Sequence, residues 1–305
     1  MRKINTTILC IAIIVGIGCK NAMSQYAWPE KAKCEPLKSR TLAVRLFTDA
    51  NGEYTAYNDA IKKAYNEEWK ITAVEFFSPK DYADLVKEGN TKYAVVYAGD
   101  ALSTRTLERV KGSEIIHSKE FRFAHFDVTL ANITGADALD PVTVVSFAND
   151  DLLPSEFFFA AQQFVLLVNA SLNDVSGLTF YDHEKNIEYI KSKKLAVPDE
   201  LFNEKDLVKI ADKYEFPNKV VTNKELNDLV LAKNEEYVYP KIIWSNMHSA
   251  YGWVMISAKD GSLRSFMSFG GIKTNSEQKA NEVLKTGQLK NALSSFMQKV
   301  NNRYK

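Results

Sequence analysis

An internal repeat constrains this chain more than any other feature. Residues 38–44 read KSRTLAV and residues 191–197 read KSKKLAV, identical at five of seven positions. A second match follows each copy. Residues 76–93 align with 220–237, with Lys80/Lys224, Asp84/Asp228, Leu85/Leu229, Val86/Val230, Asn90/Asn234 and Tyr93/Tyr237 identical. Self-similarity in a fixed order marks one supersecondary unit used twice. The expectation is a tandem duplication, with Leu42/Leu195 and Leu85/Leu229 buried in equivalent places.

The chain has 305 residues, enough for two domains of ordinary size. It is 46% apolar and 25% charged, which is a composition that supports a true core. The formal net charge is +1 and no basic run stands out, so no nucleic-acid partner is expected. Arg2 and Lys3 precede an apolar stretch, 8–18, that is too short to span a bilayer. A signal peptide over 1–24 is expected. Two exits fit. Ala22-Met23-Ser24 before Gln25 places small residues where signal peptidase needs them. Gly16-Ile17-Gly18-Cys19 resembles a lipobox, and its outcome is lipidation of Cys19. Either route exports the chain, to the periplasm or to a lipid anchor on the outer membrane, and that anchor is the only membrane contact expected. Of three cysteines, Cys10 lies in the leader, and cleavage after Ser24 leaves Cys34 alone. A disulfide-stapled fold and a Cys-ligated zinc site are therefore excluded. Cys34 reads as an unpaired thiol in a mobile arm, in preference to an intermolecular disulfide or a reactive thiol.

The organisation expected is an N-terminal arm over 25–37, a first α/β repeat over 38–175, a linker over 176–190 and a second repeat over 191–305. In the first copy, apolar runs give strands at 41–47, 71–77 and 93–97. A one-sided apolar stripe gives a helix at 57–69. Ser78-Pro79 opens a helix at 80–88. Residues 98–119, with Arg105, Glu108, Arg109 and Lys111, have no counterpart of equal length and read as a solvated helix face. Strands at 121–130 and 142–147 flank a long turn. Residues 154–173 form a helix that is apolar almost all round, broken by Gln162-Gln163 and buried between the copies. In the second copy, strands are expected at 195–197, 219–221 and 237–244, with Pro240 arguing for an edge or bulge. A helix at 203–214 turns Leu207, Val208 and Ile210 inward. Thr222 and Glu225 form a capping box. A hairpin spans 251–257 and 262–269 with a type I′ turn at Asp260-Gly261. A last helix starts at Ser276 and carries the stripe Leu289, Ala292, Leu293, Phe296, Met297 and Val300. The fold class is α/β: a β-α-β-α-β-hairpin-α unit present twice, with mixed sheets packed about a pseudo-twofold.

That order resembles the periplasmic α/β domain at the amino end of TolB and in CsgG-type assembly lipoproteins, where a βαβαβ core is followed by a hairpin and a closing helix. Tyr57-Asn58-Asp59-Ala60-Ile61, Trp69-Lys70-Ile71 and Val74-Glu75-Phe76 resemble a group of exported Bacteroidetes proteins of unassigned function. The resemblance implies an envelope location.

Chemistry-bearing motifs are scarce. The chain has no G-x-S-x-G, H-E-x-x-H, P-loop or G-x-G-x-x-G. No catalytic residue, cofactor or metal site is assigned. His125 and Asp127 share a strand face, a spacing that supports a carboxylate–imidazole pair, but no nucleophile motif accompanies them. Asp182-His183-Glu184 reads as a solvated turn, since adjacent residues seldom converge on one ion. Asp150-Asp151 suits charge compensation at the N-terminus of the following helix. The richest stretch is 242–253, where Trp244, His248, Tyr251 and Trp253 make a candidate ligand or partner surface. Arg105 and Arg109 are candidates for contact with an anionic partner. The function expected is a non-enzymatic envelope protein that mediates protein–protein contact or scaffolding. The alternative is a periplasmic small-ligand binding protein with a cleft between the repeats. A hydrolase using His125 or His248 comes third and needs a nucleophile or metal within hydrogen-bond reach.

Overall fold

The computed structural model describes residues 28–111, 114–148, 152–175, 183–201, 204–205, 207–208, 216–245, 250–268 and 277–278. The fold is mixed α/β. One eleven-stranded sheet runs through it, and every strand named below belongs to that sheet.

The first half opens with α1 (Lys31–Cys34) and a 3-10 turn (Glu35–Lys38). Then come β1 (Thr41–Arg45), α2 (Thr55–Glu68), β2 (Val74–Phe77) and α3 (Pro79–Glu88). It continues with β3 (Tyr93–Lys111), β4 (Glu114–Gly135), β5 (Ala138–Phe147) and α4 (Pro154–Leu172). β1 lies between β2 and β3, parallel to both, and β3, β4 and β5 follow antiparallel. The second half holds α5 (His183–Lys191), β6 (Lys194–Pro198), a 3-10 turn (Asp199–Leu201), β7 (Asn218–Val221) and α6 (Asn223–Leu231). It ends with β8 (Tyr237–Ser245), β9 (Ala250–Ser257), β10 (Leu263–Ser268) and β11 (Glu277–Gln278). β6 is parallel to β7 and β8, and β8, β9 and β10 run antiparallel. The two sets of strands meet where Phe147 of β5 pairs with Ile243 of β8.

Strand order and register run alike in the two halves. Leu42 pairs with Val74 and Ala94, and Leu195 pairs with Asn218 and Val238. Leu42 and Leu195 are aligned by the sequence match, and their partners lie just outside the second matched stretch at its offset of 144. Leu42 and Leu195 are fully buried and Leu85 is buried, but Leu229 is only half-buried. The halves also turn opposite faces toward α4. Leu42, Val44, Ala94 and Val96 join the main core with α2 and α4, while Ala43 and Val95 lie in a smaller cluster with Tyr82 and Leu85 of α3. In the second half it is Ala196, aligned with Ala43, that enters the main core, beside Leu226 and Val230 of α6.

α4 is the hub, and its burial is nearly complete. Its two glutamines explain themselves. Gln163 Nε2 donates to the Gly261 carbonyl at 2.5 Å, and Gln162 Nε2 donates to Glu68 Oε1 at 3.2 Å. One reaches into the second half and the other into the first. At its start, the Leu153 N–H donates to Glu156 and the Ser155 N–H donates to Asn227 of α6, so two of the helix's orphan donors are satisfied.

Several expectations are corrected. Residues 98–111 and 114–119 are strand, not a helix face, because β3 and β4 form one long hairpin. Thr104, Thr106 and Val110 suit an extended chain, and charges at 105, 108 and 109 only mimic helical spacing. The turn expected at 132–140 tightens to Ala136-Asp137, with Gly135 paired to Ala138 and Asp137 left-handed. Residues 183–190, placed in the linker, belong to α5. Val208 is 60% exposed rather than inward. The 258–262 loop is not type I′. Only Gly261 takes a positive φ there, and Asp260 Oδ1 accepts from the Ser262 N–H in place of a tight turn. Glu277-Gln278 pairs with β4 as strand, where a helix was expected. Cys34 is not in a mobile arm. It is fully buried in the main core, and Lys33, Pro29 and Arg40 tie its segment to Asp140, Ser171 and Asn132. Pro240 does sit at an interruption. It falls on β8 between the residues that pair with β6 and the one that pairs with β5, where no ladder donor is required. Residue 210 and the stripe at 289–300 lie outside the described residues, as do Asp150, Asp151 and Asp182.

Candidate functional site

The site grows from the β3–β4 ladder. Gly99 pairs with Asp127, Ala101 with His125 and Ser103 with Phe123. Odd positions on both strands therefore share one face. The even positions Phe126, Val128 and Leu130 belong to the main core on the opposite face. On the odd face, His125 Nδ1 lies 2.7 Å from Asp127 Oδ1, and His125 Nε2 lies 2.8 Å from Ser103 Oγ. An ionised carboxylate only accepts, so the ring proton sits on Nδ1 and Nε2 carries the lone pair. Ser103 then donates its hydroxyl proton to Nε2. The arrangement is a serine hydrogen-bonded to an imidazole whose tautomer is held by a carboxylate.

Trp244 of β8 holds the ring in place. Its indole stacks on the His125 imidazole with centroids 5.2 Å apart and planes 8° from parallel. His125 is 6% exposed and Trp244 is fully buried, while Ser103 and Asp127 are half-buried. The open side of the cluster is the β3 side, where Gly99, Ala101 and Ser103 are all small. A methyl placed on Gly99 would meet no atom within 4 Å. Among the described residues no group of three or more His, Cys, Asp and Glu could hold a metal ion.

The sequence drew attention to Trp244, His248, Tyr251, Trp253, Arg105 and Arg109. The structure places Trp244 against His125 and buries Trp253 as well, so neither belongs to an exposed aromatic patch. Tyr251 is the β9 partner of Trp244. His248 and the lipidation candidate Cys19 lie outside the described residues. Arg105 and Arg109 are on β3, paired with Phe121 and His117 of β4. Ser103 was missed. It carries no motif, and only the hairpin register brings it to His125.

The same hairpin makes a second feature. β1 reaches only as far as Val96 along β3, and β5 reaches only Phe126 along β4. β11 adds a short patch at Arg122 and Phe123. Among the described residues, β3 from 105 and β4 up to 121 therefore pair with each other alone. Among the described residues, no strand lies beside the outer edge of β3 from Tyr97 onward.

A buried ion pair lies on the core face. Lys241 of β8 contacts Glu156 of α4 and stands over the Phe147 ring, 5.0 Å from its centre. Burial pushes the Lys241 ammonium down to about 7. No helix among the described residues is long and apolar enough to cross a membrane. The chain matches no protein-family model, and it matches no curated protein.

Proposed function

We propose that this is an exported envelope protein whose work is contact with another protein, with the β3–β4 ribbon as the contacting element. The observation that carries the reading is the ribbon's uncovered edge. A two-stranded ribbon alone is marginal in water, and an unpaired edge is a template for another chain. Among the described residues some fifteen positions of such an edge, from Tyr97 to Lys111, stay unpaired, and a protein that keeps them has a use for them. Arg105 and Arg109 on that strand suit a partner with acidic groups facing the ribbon. Export is supported by the leader-like residues 1–24. The α4 side of the seam between the halves is filled with side chains, which favours contact over a ligand cleft there.

The test removes 106–120 and joins the paired residues Arg105 and Phe121 with a two-residue Asn-Gly turn. The cut lies beyond both β1 and β5, so unfolding temperature is expected to change little. Isolation from cross-linked envelopes is expected to lose the partner that the full chain retains. Equal recovery by both chains would sink the proposal.

A further inference from the structure

The Ser103–His125–Asp127 cluster has a use that the contact reading does not absorb, and the inference stands on geometry independent of the ribbon edge. We propose that Ser103 is a nucleophile that accepts an acyl group from small esters, with His125 as its base and Asp127 as the group that orients His125. Three observations meet here. The donor–acceptor chain runs Ser103 Oγ to His125 Nε2 at 2.8 Å and His125 Nδ1 to Asp127 Oδ1 at 2.7 Å, so each group has the partner its role requires. Trp244 stacks on the imidazole and holds its plane, so the base is preorganised. Ala101, the next residue on that face, leaves only a methyl group beside Ser103, and the space above Gly99, opposite Asp127, is open.

In the first step, Ser103 Oγ forms a bond to the ester carbonyl carbon while its proton passes to His125 Nε2. The C–O bond to the alcohol then breaks, and the alcohol oxygen takes that proton from Nε2. In the second step, water attacks the acyl-serine, gives a proton to Nε2, and the proton returns to Ser103 Oγ as the acid leaves. No oxidant, metal or cofactor enters this balance. Asp127 keeps the proton on Nδ1 throughout, and the imidazolium that forms is stabilised by its charge. The half-buried serine and the short side chain of Ala101 beside it fit a small acyl group.

The test uses the full exported chain and a fluorophosphonate ester, which phosphonylates an activated serine and releases fluoride. Peptide mass spectrometry reads the adduct on Ser103, with Ser103→Ala as the site control. The decisive variant is Asp127→Asn, which keeps the size of a partly exposed side chain but allows the wrong tautomer of His125. The expected result is an adduct on Ser103 that forms about a hundredfold more slowly or worse in Asp127→Asn, with an unchanged circular dichroism spectrum. Release of p-nitrophenol from p-nitrophenyl acetate is expected to fall in parallel. No adduct on Ser103 in the parent chain overturns the proposal. So does labelling that Asp127→Asn leaves unchanged, since the serine would then react without its relay.

Discussion

Lys241 shows how a single buried group sets a pH dependence. Desolvation holds its folded pKa near 7, while in the unfolded chain it titrates near the ordinary lysine value of about 10.4. Between those limits the unfolded chain binds more protons at this residue, so stability rises with pH. Exposed lysines such as Lys194 and Lys219, raised by the hydrogen bonds they donate to Glu236 and Glu225, act oppositely but only above their ordinary range. Between pH 7 and 9.5 the raised thiol of Cys34 also acts oppositely, so the difference between the parent and the Lys241 variant isolates Lys241. Lys241→Met is expected to remove a rise of about 3 kcal/mol across that window in denaturant unfolding. Parallel pH profiles for the two proteins would contradict the assignment. Cys34 illustrates a different effect of burial: desolvation pushes its thiol up, and it packs in the core as a small apolar group.

At the scale of elements, the aligned segments reveal both the repetition and its limits. Ser78 and Thr222 cap α3 and α6 by accepting from the N–H groups of Asp81 and Glu225. Each helix then ends on a left-handed residue, Gly89 at φ 68° and Lys233 at φ 50°. The first position needs glycine for space as well as for φ, because a Cβ there would lie 2.3 Å from the Ala136 nitrogen. Lys233 has room, and its side chain reaches Glu68 at 2.7 Å and Glu67 at 3.3 Å. Burial works against its charge, but the two carboxylates outweigh it and hold the ammonium above its ordinary value. Gly89→Ala is expected to cost about 2 kcal/mol or more, while Lys233→Gly changes stability by less than about 1 kcal/mol. Thermal unfolding of the two variants checks this, and equal losses would mean that the turn at Ala136 does not crowd α3. These caps and short strands were legible because local chemistry dictates them. The long hairpin was not. Its strands were visible at 93–97 and 121–130, but its length depends on pairing between distant residues, and charges at 105, 108 and 109 obscured the period of two. His125 and Asp127 could be read as a pair from strand alternation alone. Ser103 and Trp244 could not, since one needs the β3–β4 register and the other needs β8 to reach β4 through β5.

At the scale of the molecule, α4 and the β5–β8 pairing join two sets of strands with the same order into one sheet. We read that shared order as a duplication in which the second unit presents its opposite face to the common helix. What the first unit has in excess is the ribbon, and that excess is where the contact reading rests. Incorporating a photo-crosslinking residue at Thr106, on the uncovered stretch of β3, tests it most directly, with Lys87 on α3 as the control. The account expects a single discrete adduct from Thr106 in intact envelopes and none from Lys87. No adduct at Thr106, or the same products from both positions, would contradict it.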